Sequence, residues 1–294
     1  AGDDTLDGGS GADSLTGGAG LDAASYHSAT AGVSADLQAP GANTGDAAGD
    51  AYDTIENLLG SDFDDRLSGN GGANALGGGV GDDLLLGRAG ADTLDGGIGN
   101  DTASYADAAA PVIADLGNPA RNGGDAAGDR YIAIENLLGG TGSDLLAGDA
   151  LPNRLEGGTG NDTLTGADGD DVLIGGDDAD RLDGGAGIDT ASYATATQAV
   201  TADLGGLTAN AGAAAGDTYV DIENLVGSAY ADTLYGSTVG NVLLGAAGND
   251  TLVGREGADL LDGGVGNDSL TGGGGDDRYV VDATGDVVDE LAGG

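Results

Sequence analysis

Aspartate and glycine recur through this chain at a spacing of nine residues, and the pairing of those two residue types is the first sign of chemistry. Residues 139–192 divide into GGTGSDLLA, GDALPNRLE, GGTGNDTLT, GADGDDVLI, GGDDADRLD and GGAGIDTAS. The shared frame is G-G-x-G-x-D-x-U-x, where U is a large apolar residue. Glycines at places one, two and four permit positive φ and close backbone approach, so such a turn can aim its carbonyl oxygens inward. The aspartate at place six adds a carboxylate. A set made only of oxygens suits a hard cation such as Ca2+, which takes about six to eight oxygen ligands at about 2.3–2.6 Å. One turn cannot supply that many, so neighbouring turns have to share each ion.

Counted along the whole chain, the frame occurs twenty times. Place six is aspartate at Asp4, Asp13, Asp22, Asp65, Asp83, Asp92, Asp101, Asp144, Asp162, Asp171, Asp180, Asp189, Asp232, Asp250, Asp259, Asp268 and Asp277. It is asparagine at Asn74, Asn153 and Asn241, which serve either as weaker carbonyl ligands or as turns where a site is lost. All twenty are candidate metal ligands. Glu56, Glu135 and Glu223 stand in the same place of degenerate nines, as ligands or as surface carboxylates at a coil junction. Asp50, Asp129 and Asp217 recur in equivalent loops, as insert ligands or as plain turn residues.

The elements that position these groups follow from the period. Nine residues are too few for a helix pair or a hairpin, but suit half of a flattened coil: a glycine turn, then a strand of about three residues. Place eight carries the core, with leucine in sixteen repeats, alanine at Ala24, Ala103 and Ala191, and tyrosine at Tyr279. Repeat blocks cover residues 1–25, 60–104, 139–192 and 227–280. Between them lie three inserts of 34 residues, at 26–59, 105–138 and 193–226, which are copies of one another. Each opens with tyrosine, carries V-x-A-D-L, and passes through A-G-D to I-E-N-L. The alternation in V-x-A-D-L predicts a strand with one buried face. The last nine residues of each insert keep the frame and are expected to rejoin the coil. Residues 281–294 are expected to cap or continue it.

The nonapeptide is the calcium-binding signature of a known solenoid type, and on these residues the chain resembles the RTX (repeats-in-toxin, hemolysin-type) proteins of bacteria. That resemblance implies an all-β fold: a parallel β-roll, or β-solenoid, of stacked calcium-binding turns, here interrupted by the three inserts. It also implies two repeats per coil, so that repeats n and n+2 share an ion and several Ca2+ ions are bound. Successive turns then lie on alternate edges of the roll. The inserts begin 79 and 88 residues apart, a difference of one nonapeptide. One of those two steps should therefore keep the edge from which the inserts leave, and the other should switch it.

Composition agrees with a fold that needs a cation. The formal charge is −43, from 51 acidic and eight basic residues, and the basic ones are all arginine. Such a surface disfavours nucleic acid and anionic membranes as partners. No apolar run approaches the ~18 residues of a transmembrane helix, and no signal-peptide pattern opens the chain. One buried leucine per nine residues is a small return for ordering a glycine-rich turn, so metal binding is expected to supply folding free energy. The chain should stay unfolded where Ca2+ is scarce and fold outside the cell.

No catalytic constellation is visible. His27 is the single histidine, and the equivalent insert positions are Ala106 and Ala194. G-x-S-x-G is absent, and without lysine the G-K-[ST] phosphate loop cannot occur. The expected function is an extracellular, non-enzymatic calcium-binding module within a longer secreted or surface protein, such as a surface-layer protein or adhesin. The alternatives are the calcium-dependent folding and secretion module of a type I-secreted exoenzyme or toxin, and an ice-binding solenoid. Ice binding needs a regular outward row of threonine, whereas threonine fills place three only at Thr141, Thr159 and Thr238. Expected partners are calcium ions, then other copies of the chain or cell-surface components.

Overall fold

The computed structural model describes residues 1–290. Among these, regular structure consists of short strands, with single 3-10 turns confined to the inserts. The named ladders are parallel, as an all-β parallel roll requires. The chain divides into two compact units, residues 1–141 and residues 142 onward.

In the first unit, successive nonapeptides alternate between two sheets. Arg66–Ser68, Leu84–Leu86 and Thr102–Ser104 lie in one, and Ala75–Val80 and Thr93–Ile98 lie in the other. Each strand pairs with the strand two repeats on, so identical places come into register: Leu67 opposite Leu85, and Leu76 opposite Leu94. The second unit repeats this with Leu155 opposite Leu173 and Leu164 opposite Leu182. Because side chains alternate along a strand, place eight turns inward throughout the repeats. Leu67, Leu76, Leu85 and Leu94 are accordingly sealed from solvent. Each such leucine contributes about 1.5–3 kcal/mol of burial. Stacked in register, these columns form the core and hold the glycine turns at the sheet margins.

The inserts end one ladder and begin another. In the first, Ala51–Asp53 pairs with Ser14–Thr16, while Ser34–Asp36 pairs with Arg66–Ser68. An antiparallel bridge between Ser34 and Thr44 joins the two layers. The V-x-A-D-L segment is thus a strand, with Ala35 fully buried. Asn57–Leu59 then rejoins the roll beside Ala23–Ser25. The third insert does the same through Thr201–Asp203, Thr218–Val220 and Asn224–Val226.

The strand before Tyr26 and the strand before Tyr105 belong to different sheets, so the 79-residue step switches sides. Near the C-terminus, Val287–Asp289 pairs with Ser269–Gly274 and extends the roll by one strand. The rest of the expected terminal segment, residues 291–294, lies outside the described residues.

Candidate metal centre

The sixth-place aspartates form ladders of hydrogen bonds along the turns. One carboxylate oxygen, Oδ1, accepts the backbone N–H of the sixth-place residue two repeats earlier. Asp65 N–H donates to Asp83 at 2.8 Å, Asp83 to Asp101 at 2.8 Å, and Asp162 to Asp180 at 2.8 Å. The inserts keep the ladder unbroken by substitution. Asp22 N–H donates to Glu56 at 2.9 Å and Asp189 N–H to Glu223 at 2.9 Å. On the other side, Asp13 N–H donates to Asp50 at 2.9 Å and Asp92 N–H to Asp129 at 2.8 Å. The glutamates and the insert aspartates are therefore members of the same rows as the repeat aspartates.

The second oxygen carries the chemistry. Among the described residues, thirteen sixth-place Oδ2 atoms are buried without any hydrogen-bond partner. They belong to Asp13, Asp22, Asp83, Asp92, Asp101, Asp162, Asp171, Asp180, Asp189, Asp250, Asp259, Asp268 and Asp277. Each faces the bare Cα of the first-place glycine of its own turn. A Cβ on Gly78 would strike both Asp83 Oδ2 and the carbonyl oxygen of Gly96, two repeats on. Gly157, Gly166, Gly245 and Gly254 sit in the same cradle of one carboxylate and one carbonyl. Next to an insert the carbonyl comes from Thr54, Ala133 or Asp221, at φ of 53°, 46° and 46°. The left-handed backbone at these three residues aims the carbonyl at the partnerless carboxylate.

A buried carboxylate without a counter-charge is strongly disfavoured, and burial pushes these acids up. Asp83, Asp92 and Asp180 rise to about 7, and Asp162, Asp171, Asp250 and Asp259 to about 6, against the lowering effect of the N–H each accepts. The cradles are anionic, enclosed and built of oxygen alone, with no nitrogen or sulfur donor in them. That donor set fits Ca2+.

Other expected ligands sit differently. Asp4 is exposed, and Asp144 is buried outside the partnerless set. Both carboxylate oxygens of Asp65 accept from Ser61, and those of Asp232 from Ser228. Asn74 and Asn241 donate through Nδ2 to the carbonyls of Glu56 and Glu223, both at 2.6 Å. Asn153 accepts the N–H of Asp149 at 2.8 Å. His27 is exposed, 3.8 Å from Asp62.

In each insert a tyrosine takes the free oxygen of the row aspartate. Tyr26, Tyr105 and Tyr193 donate to Asp50, Asp129 and Asp217 at 3.0, 2.8 and 2.6 Å. Their hydroxyls also meet those of Tyr52, Tyr131 and Tyr219. Removing one hydroxyl leaves a buried carboxylate oxygen unpaired, which costs about 1–3 kcal/mol. Tyr105→Phe is therefore expected to lower the urea midpoint at saturating Ca2+, whereas Tyr230→Phe, at a half-exposed ring, should leave it in place. Equal midpoints for the two variants would contradict the assignment.

Several of these features are not announced by the aspartate spacing. Asp282 and Asp286 converge with Asp268, their ligand atoms lying within 4.8 Å of one another. The frame, run on past residue 280, does put Asp286 at place six and Val288 at place eight. Arg88 forks onto Asp36 at 2.9 and 2.8 Å, and Arg255 onto Asp203 at 2.7 and 2.7 Å. Their counterpart Asp115 pairs instead with Arg121 at 3.1 Å, inside its own insert.

Stacked parallel turns, thirteen of which keep an uncompensated carboxylate and several of which set it beside a carbonyl of the turn two repeats on, define a calcium-binding β-roll. The family model of the RTX calcium-binding nonapeptide repeat (4 copies) matches residues 1–23, 50–85, 78–103, 156–191, 220–238 and 240–287. These matches span more than half of the chain, which belongs to that family. No curated protein matches the chain significantly. No helix among the described residues is long and apolar enough to cross a membrane.

Proposed function

We propose that this chain is a calcium-ordered structural module of an extracellular bacterial protein, serving as a segment of a surface-layer protein or adhesin rather than as a catalyst. The observation that carries the calcium role is the set of thirteen buried, partnerless Oδ2 atoms, eight of them in turns where a backbone carbonyl of another turn also closes on the first-place glycine. Those aspartates would hold the ions, with first-place glycine carbonyls and the insert carbonyls of Thr54, Ala133 and Asp221 completing the oxygen shells. Bound Ca2+ supplies the counter-charge that lets the carboxylates ionise inside the roll, so metal binding and folding become one process. Three inserts of equal length, the first and third each ending one ladder and opening another, favour a module that builds length.

The test is a pair of substitutions. Asp171 lies mid-block, accepts the N–H of Asn153 at 2.8 Å, and keeps Oδ2 partnerless. Asp171→Ala is expected to raise the Ca2+ midpoint of folding severalfold, because it removes a carboxylate ligand and a ladder acceptor together. Asp107 lies in an insert, partly exposed, with Arg88 Nε 3.0 Å away. Asp107→Ala should shift the midpoint little, as exposed ion pairs contribute about 0–1 kcal/mol. Similar shifts in calcium-titrated circular dichroism would overturn the ligand assignment.

A further inference from the structure

The thirteen turns with a partnerless carboxylate oxygen share a second property. In every one, the residue at place two has positive φ. Glycine usually fills it, as at Gly79 with φ 114°. Four turns hold that conformation without glycine, at Arg88 (69°), Ala167 (87°), Ala246 (74°) and Arg255 (79°). A left-handed backbone is unfavourable for residues with a Cβ, so its persistence there marks a geometry the turn requires.

Of the other seven turns, that of Asp4 enters the sequence only at place three; the six that remain are the first two after each insert, and they behave oppositely. Their second-place residues, Ser61, Asn70, Gly140, Asp149, Ser228 and Ser237, do not have positive φ. In five of the six, the second-place N–H donates to the sixth-place side chain of its own turn. Ser61 and Ser228 donate to Asp65 and Asp232 at 2.5 Å each. Asn70, Asp149 and Ser237 donate to Asn74, Asn153 and Asn241 at 2.8, 2.8 and 2.7 Å. The sign of φ at place two thus decides whether the side-chain oxygen meets an N–H or is left for a cation.

Further donors gather at these same turns. The serine hydroxyls reinforce the N–H at Asp65 and Asp232, at 3.0 and 2.9 Å. Asparagine replaces aspartate in the second turn of each pair, removing a charge and adding an N–H donor. Arg88 and Arg255 donate to the carbonyls of Gly69 and Gly236, the first-place glycines of two of those asparagine turns, at 2.5 and 2.7 Å.

We propose that the two turns following each insert bind no calcium, because backbone N–H, hydroxyl, amide and guanidinium donors stand where other turns need the ion; this refines the calcium reading above and rests on it. Place two is then the residue that determines whether a turn takes a cation. Each insert restarts the roll through two metal-free turns, and ions are confined to the thirteen turns with a partnerless carboxylate.

Calcium bound to the full chain is counted by equilibrium dialysis and atomic emission at saturating Ca2+. About thirteen ions are expected, one per partnerless carboxylate. A count near twenty, one for each repeat, would overturn the proposal and leave the calcium reading standing. No bound calcium would overturn the calcium reading itself. The double variant Ser237→Gly/Asn241→Asp restores the frame in one metal-free turn and is expected to add one ion. Asn70→Gly/Asn74→Asp makes the same change in the other unit, should the first variant not fold. An unchanged count in a folded variant shows that place two does not govern occupancy and defeats the proposal.

Discussion

Removal of Ca2+ at pH 7.5 is expected to abolish most of the β signal in far-ultraviolet circular dichroism, and millimolar Ca2+ to restore it. The cause is local before it is global. Thirteen carboxylate oxygens lie buried without a donor, in a chain of formal charge −43. Without the cation, each turn must either hold a proton against a neutral solution or expose its carboxylate to water. Exposure breaks the ladder as well, because the other oxygen of that carboxylate holds the N–H of the turn two repeats earlier. Loss at one turn therefore unpins the next, and the transition should be steep in Ca2+. Extracellular calcium modules typically have Kd of about 10⁻⁴–10⁻³ M, which sets the concentration range. Mg2+ should substitute poorly, since it demands tight octahedral geometry and surrenders its water reluctantly. A full β spectrum in excess chelator at this pH would refute the role assigned to the ion.

What the sequence discloses about this roll, and what it conceals, divides along a physical line. Period, core and carboxylate row are all legible, because each depends on residue type at a fixed place. Leu85 is buried because place eight faces inward, and Asp83 points into its turn because place six does. The direction of a peptide plane is another matter. Ser61 and Arg88 both replace glycine at place two, yet one keeps negative φ and donates to its own carboxylate, while the other is left-handed and turns away. Nothing in their identities announces the difference. The insert tyrosines are similarly concealed. Tyr105 and Asp129 stand 24 residues apart, and only the ladder from Asp92 to Asp129 brings that aspartate into the row. Spacing alone left Asp129 open between ligand and turn residue; the tyrosine hydroxyl gives its second oxygen a protein partner instead.

Protons should partly replace calcium, and this gives the second large effect. Burial raises the folded-state values of Asp83, Asp92 and Asp180 to about 7, and those of Asp162 and Asp171 to about 6. In the unfolded chain these groups titrate near 3.9. The ion-free roll thus binds more protons than the unfolded chain between about pH 4 and pH 7. Stability linked to these groups is fully present below the unfolded value and is lost as pH rises through the folded values. In chelator, acidification from pH 8 to pH 5 is therefore expected to recover part of the β signal. Calcium must displace those same protons from a roll already folded, but the unfolded chain is ionised above about pH 5 and has none to release. Between pH 7.5 and pH 5.5 the Ca2+ midpoint of folding should therefore move downward, because the protonated roll needs less cation to hold it, even as Ca2+ binds that roll more weakly. Circular dichroism across a grid of pH and free Ca2+, with light scattering to exclude aggregation, reads both effects at once. A midpoint independent of pH, together with an ion-free chain equally disordered at pH 5 and pH 8, would show that the buried carboxylates do not couple folding to charge.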